Sequence, residues 1–236
     1  MTNGHTTDDA SDAAAVVKVV AIDGPAGSGK STIARGVAAA LGLPTLDTGA
    51  MYRATALAAL DAGVDLDDAD AVATVARGMD LTVEDGVTVL DGTDVSTEIR
   101  GPRITDVVSQ VSAHPAVRAV MVERQRAWVA QHGGGVVEGR DIGTVVLRDA
   151  PLKVFITARD EVRAARRQRD EADAQRSIDA ASVRDALNRR DRADGTLGRA
   201  TRPEDAAPDA LVVDTSDVTA EEVVADLVAL AQKIFG

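Results

Sequence analysis

The chain has 236 residues, 45% of them apolar, a length that suits one α/β domain or one domain carrying an insertion. Its 38 acidic and 26 basic residues leave a net charge of −12, which excludes duplex nucleic-acid binding through a general basic field. With no cysteine there is no disulfide, thiol catalysis or cysteine-held zinc, and histidines at only 5, 114 and 132 are too scattered for a metal site.

Along the chain, MTNGHTTDDASDAAA (1–15) is polar and acidic, the composition of a disordered tail rather than a secretory signal. No apolar run approaches the roughly 20 residues of a membrane span, so a cytoplasmic protein without membrane or nucleic-acid partners is expected. Val16–Asp23 is a β-branched run with the pattern of a strand buried on both faces. A glycine loop leads into a helix at Lys30–Leu41 ended by Gly42. Residues 43–46 predict a second short strand and Ala50–Ala62 a second helix. From about 63 to 103 the character changes, and Met79–Glu84 and Gly86–Asp91 alternate as a hairpin around Glu84-Asp85-Gly86. Helical stretches follow near 104–112 and 116–131, then strands at Gly135–Glu138 and Leu152–Thr157, each with a helix after it. Leu211–Asp214 is a last strand and Ala220–Phe235 an amphipathic terminal helix. Alternating strands and helices imply parallel βαβ units with ligands at the carboxyl ends of the strands. In that layout 63–103 is an insertion.

Gly24-Pro25-Ala26-Gly27-Ser28-Gly29-Lys30-Ser31 fits G-x-x-x-x-G-K-[ST] without a mismatch, between an apolar strand and a helix. Glycines let successive N–H groups turn inward around an anion, and the following helix adds its positive end. Lys30 can reach β- and γ-phosphates, and the Ser31 hydroxyl can bind Mg²⁺. The bland alternative is a glycine-rich turn without ligand. The strand, helix and Lys-Ser pair together favour a purine triphosphate. Such a loop does not name a reaction. No base-reading Asn/Thr-Lys-x-Asp of a GTPase switch follows, and VVEGRD at 136–141 places Gly-Arg between its carboxylates where a motor would keep a water-polarising Asp-Glu pair. Arginine is abundant instead: 22 Arg against 4 Lys, with 12 of those Arg from Arg159 to Arg202. Its planar fork suits phosphate. The balance favours transfer to a phosphate acceptor over hydrolysis.

Asp47-Thr48-Gly49-Ala50-Met51-Tyr52-Arg53 offers a hydroxyl, a ring and a guanidinium after the second strand, although Tyr52 could equally be core and Arg53 a solvated charge. Arg140 and Asp141 follow the third strand, where an Arg-Asp neighbour pair is often only a surface ion pair. Arg159, Arg163, Arg166 and Arg167 recur at helical spacing and predict one cationic face, with Asp160, Glu161, Asp170 and Glu171 as the partners of a merely solvated helix.

Together IDGPAGSGKST (22–32), LDTGAMYR (46–53), LDGTDVSTEIR (90–100), SQVSAHPAVR (109–118), EGRDIGTVV (138–146) and RAARR (163–167) resemble the bacterial cytidylate kinases, nucleoside monophosphate kinases, over nearly everything from Val19 onward. The resemblance implies a three-layer α/β/α P-loop fold. A parallel sheet of about five strands would be built from 16–62 and 104–236, with a helical lid at about 159–176. Residues 63–103 would form an enlarged monophosphate-binding domain. It implies phosphoryl transfer from ATP with Mg²⁺ to CMP and dCMP, and a monomer is expected. The alternatives are another small kinase acting on UMP or AMP, and a switch without transfer.

By the same resemblance, Gly24 to Thr32 hold ATP, and Lys30, Arg163, Arg167 and Arg190 act on the transferring phosphate. Asp47, Thr48 and Tyr52 lie at the monophosphate site, and Arg53 and Arg140 hold the acceptor phosphate. Ser109, Arg118 and Asp141 read cytosine, and Asp194 meets the ribose hydroxyls. A carboxylate at 141 can accept from the N4 amino group of cytosine, and would face the uracil oxygen acceptor to acceptor. Relatives carry R-D-x-x-D-S-T-R. Here Asp194-Gly195-Thr196-Leu197-Gly198-Arg199 delays the last arginine by two positions, so Arg199 is expected to take that role through a longer loop.

Overall fold

The computed structural model describes residues 17–173 and 179–236. The expected tail 1–15, Val16 and positions 174–176 of the lid stretch lie outside the described residues.

Five strands form one parallel sheet: β1 (Lys18–Asp23), β2 (Thr45–Asp47), β6 (Gly134–Glu138), β7 (Leu152–Thr157) and β8 (Leu211–Asp214), in the order β2-β6-β1-β7-β8. Side-chain alternation on β1 divides the core. Val19 and Ala21 join Leu46 and Val137 in an apolar cluster with the helices α2 (Thr48–Asp61), α4 (Pro102–Ala113) and α5 (Pro115–His132). Val20 and Ile22 face the other way, with Ile33 and Val37 of α1 (Lys30–Leu41) and Val223 and Leu227 of α8 (Ala220–Phe235). Helices therefore cover both faces of a parallel sheet, a three-layer α/β/α fold. The phosphate-loop strand β1 sits at its centre, where the strand order reverses.

Within 63–103 the expected hairpin is present as β3 (Leu81–Glu84) and β4 (Val87–Leu90), extended by β5 (Thr93–Asp94) into a small antiparallel sheet. Asp85 and Gly86 both take positive φ, 49° and 86°, the backbone that a tight hairpin needs. The stretch also holds an unexpected helix, α3 (Ala69–Gly78). Asp68 caps it by accepting from the N–H groups of Asp70 and Ala71, and Val72, Ala73 and Ala76 are buried. Its apolar stripe is made of small residues in an Asp-rich context, a weak periodic signal.

Two further expectations are corrected. Helix α2 begins at Thr48, not Ala50, because the Asp47 side chain accepts from Ala50 N–H at 3.0 Å and caps it. After β6 there is no α-helix but a single π-helical turn, Ile142–Val146. The Asp23 carboxylate anchors that turn, accepting from Ile142 and Gly143 N–H, each at 2.8 Å. Helices α6 (Asp160–Asp173) and α7 (Ala180–Thr196) pack on each other above the carboxyl edge of the sheet, on a third small apolar cluster of Ala26, Ala164, Val183 and Leu187.

Candidate active site

A cavity of about 1210 Å³ opens along that carboxyl edge, from the loop after β1 to helix α4. Ala26 to Thr32 form its floor, with Gly24 and Pro25 behind. Gly24 has φ 147°, and a Cβ there would meet Ile156 O at 2.0 Å, so only glycine lets the loop leave the sheet this way. Gly29, left-handed at φ 95°, starts α1, whose first N–H groups face the cavity end of the helix. Lys30 folds back so that Nζ donates to Pro25 O at 2.7 Å. Burial, then Arg140, push its ammonium well below the ordinary lysine value. Thr215, buried, donates to Ser28 O at 3.1 Å and Arg166 donates to the same carbonyl, which fixes the loop from the β8 side.

The next layer is cationic. Arg53 on α2 is buried and donates to Ile99 O and Thr105 Oγ1, both at 3.0 Å. Burial first, then Arg190, Arg167 and Arg100, push its guanidinium down to about 9, still cationic at neutral pH. Arg190 on α7 is pushed down to about 10 by burial and then Arg140. These guanidinium groups crowd one wall of the cavity, where burial and their mutual repulsion outweigh the nearby negative charge. Phosphate oxygens would supply more of it.

At the α4 end, Arg140 Nε donates to Asp194 at 3.3 Å and Arg199 to the other oxygen of Asp194 at 2.6 Å. Burial opposes the Asp194 carboxylate, but Arg140, Arg199 and Arg190 outweigh it and hold its pKa below the ordinary value. The two extra positions before Arg199 are absorbed by a left-handed turn at Gly198, φ 69°, which brings Arg199 back to Asp194, to Ser112 and to 5.6 Å over the Tyr52 ring. Burial and then Asp141 push the Tyr52 hydroxyl up to about 12. Asp141 is paired with Arg118. Ser109, Tyr52 and Asp141 line the cavity, whereas Arg118 lines a groove on the far side of its ion pair.

The four arginines expected on one face are divided. Arg166 and Arg167 line the cavity. Arg159 turns outward into a forked pair with Asp217, both distances 2.7 Å, and also holds Glu161. Arg163 points beneath the loop, to Ala26 O at 2.9 Å and to Asp160 and Asp191. The side chain of Glu171 lies outside the described residues.

Several site residues escaped the sequence reading. Glu138, at the end of β6, accepts from Ser31 Oγ at 2.8 Å, and its backbone carbonyl accepts from Thr48 Oγ1 at 2.7 Å. Burial, then Asp47, raise its carboxyl above the ordinary value. It opens the EGRD segment at 138–141, one strand from the loop, and that adjacency is the available signal. Ser112, Thr105 and Asp191 are the others.

The donor set near Ser31 is all oxygen: its hydroxyl, Glu138 and Asp47. Among the described residues no group of three or more His, Asp or Glu could hold a metal alone. That combination fits Mg²⁺, which takes one or two protein oxygens and completes its shell with water and substrate phosphates.

Residues 20–233 match the family model described as cytidylate kinase. The cytidylate kinase of Mycobacterium avium is 52% identical over 210 residues, covering 87% of this chain and 91% of its own. That of Corynebacterium efficiens is 47% identical over 218 residues, covering 91% and 94%. The crystal structure of an uncharacterised protein from Eubacterium ventriosum shares the fold at a TM-score of 0.50 and 12% identity, covering 91% of this chain and 98% of its own. Placed beside a phosphate loop, a cluster of guanidinium groups and a carboxylate at the far end of one cavity, these matches show that the chain belongs to the cytidylate kinase family.

Proposed function

We propose that this protein transfers the γ-phosphoryl group of ATP to CMP, giving ADP and CDP, with dCMP as a second acceptor. The observation that carries the reading is the row of cations, Lys30 and Arg53 buried and Arg190 and Arg140 half-buried, running between the phosphate loop and the Asp141–Arg118 pair. Two polyanions placed end to end would neutralise that row. The nucleophile is an oxygen of the CMP phosphate, already anionic at neutral pH, so no general base is needed. Ser31, with Glu138 behind it, would hold Mg²⁺, which screens charge on the donor phosphates. Lys30, Arg167 and Arg190 stabilise charge on the passing phosphoryl group, while Gly24 to Thr32 hold ATP.

On the acceptor side Asp47, Thr48, Tyr52, Arg53 and Arg140 hold the monophosphate, Ser109, Arg118 and Asp141 read the base, and Asp194 and Arg199 meet the ribose. Residues 63–103 serve as the monophosphate-binding unit, linked to the site through Ile99 O on Arg53. Within the expected lid, the described residues 159–173 would cover the donor and exclude water. The protein works as a monomer in the cytoplasm. Among the described residues no helix is long and apolar enough to cross a membrane.

Turnover with ATP, Mg²⁺ and each of CMP, dCMP, UMP and AMP tests this. Rapid ADP formation with CMP and dCMP is expected. Preference for UMP or AMP would move the acceptor assignment, and acceptor-independent hydrolysis would remove transfer altogether.

A further inference from the structure

The family resemblance implies that Arg163 acts on the transferring phosphate, yet its guanidinium is buried and turned away from the cavity. Its Nη1 donates to Ala26 O at 2.9 Å and pairs with Asp191, and its Nη2 reaches Asp160 at 2.8 Å. The other Asp191 oxygen accepts from Ala26 N–H at 3.2 Å. Both backbone polar groups of Ala26 are thus taken by one ion pair, whose members come from α6 and α7. The apolar contacts repeat this arrangement, because Ala26 packs with Ala164, Val183 and Leu187 of the same two helices. At the next residue the helix backbone itself lies against the loop: a Cβ on Gly27 would stand 3.0 Å from Arg163 O. The held peptides immediately precede those whose N–H groups must converge on the donor phosphates.

We infer that Arg163 and Asp191 form a clamp that sets the phosphate loop in its anion-binding geometry, making both of them positioning residues and leaving contact with the phosphoryl group to Arg167 and Arg190. The inference rests on the proposed kinase reading. Because the clamp couples the loop to α6 and α7, ordering one orders the other, and ATP, bound by the loop, draws on that coupling more than CMP does.

The test is a cycle of Arg163→Ala, Asp191→Ala and the double variant. Each single variant is expected to raise the KM for ATP, and the Kd for ATP titrated without acceptor, by about tenfold, with the KM for CMP changed less than about twofold. The double variant should be no worse than the poorer single one, since both break one unit. A fall in kcat on Arg163→Ala with ATP affinity intact would return Arg163 to the phosphoryl group. Multiplying effects in the double variant would likewise overturn the clamp. Circular dichroism checks folding. If an alanine variant does not fold, Asp191→Asn, which keeps an acceptor for Ala26 N–H, and Arg163→Lys read the same split, and unchanged ATP affinity in both would sink the proposal. Failure of the wild-type protein to make CDP would sink the acceptor reading alone, because the ATP titration judges the clamp without an acceptor.

Discussion

Burial of charge governs what single residues do here, and Lys30 and Asp23 respond in opposite ways. Lys30 is a buried ammonium whose burial and whose neighbours Arg140 and Arg190 outweigh the attraction of Glu138 and Asp191, so Lys30→Ala removes a charge that is costly to bury. The expected outcome is loss of roughly 10²–10³ in kcat, the scale of one preorganised donor, with a melting temperature unchanged or higher, read by steady-state kinetics and calorimetry. Asp23 is a carboxyl whose pKa burial raises from 3.8 to about 6. A raised acid contributes stability that is full below the unfolded value and lost as pH rises through the folded one. Relative to Asp23→Asn, the wild-type protein should lose about 2 kcal/mol between pH 4 and pH 7. Urea titrations of both proteins across that window measure it, and a constant gap would refute it. Asp141→Asn should narrow the preference for CMP over UMP by about tenfold or more, one mismatched polar contact, as a ratio of kcat/KM values. Lys30 and Ser31 were legible because their chemistry is local to one motif. Asp23 was not, because the N–H groups that explain it come from Ile142 and Gly143, about 120 positions away.

At the scale of elements, segments whose local pattern suffices were legible: α1, β7 and α8 fall where periodicity and Gly42 put them, and β8 where a short apolar run put it. Elements decided by tertiary contact were not. The π turn exists because a buried carboxylate holds its first two N–H groups, and α3 because Val72, Ala73 and Ala76 find a partner surface. Packing of α1 on α8 gives a further expectation. A Cβ on Gly36 would lie 2.7 Å from Val224 Cγ2. Alanine gains about 1 kcal/mol of helix propensity over glycine, but overpacking costs about 1–3 kcal/mol and a helical valine has little rotamer freedom to yield. Gly36→Ala should therefore lose about 1 kcal/mol net, a melting temperature lower by about 2–4 °C. Adding Val224→Ala should remove the clash term. A stabilised single variant would show that the helices move apart at little cost.

Across the whole molecule, a net charge of −12 surrounds a cavity whose wall is cationic. Overall charge and site charge are thus opposed, which is why the acidic composition concealed an anion site. Ligands that neutralise the wall should stabilise the fold strongly. ATP or CMP at 100 times its Kd is worth about 2.7 kcal/mol, or roughly 5–10 °C in melting temperature. Thermal shift with each nucleotide checks this, and nucleosides without phosphate should give little.

The apolar cluster beneath β1 and β2 continues without a break into Val83 and Leu90 of the small antiparallel sheet and on to Val95 and Ile99. A segment sharing its oil-filled interior with the main sheet has no seam along which to detach. Its amides near Val83 and Leu90 should exchange with deuterium only as slowly as those of β1, in one global opening, and a chain shortened across 63–103 would be left with a wound too greasy to stay dissolved.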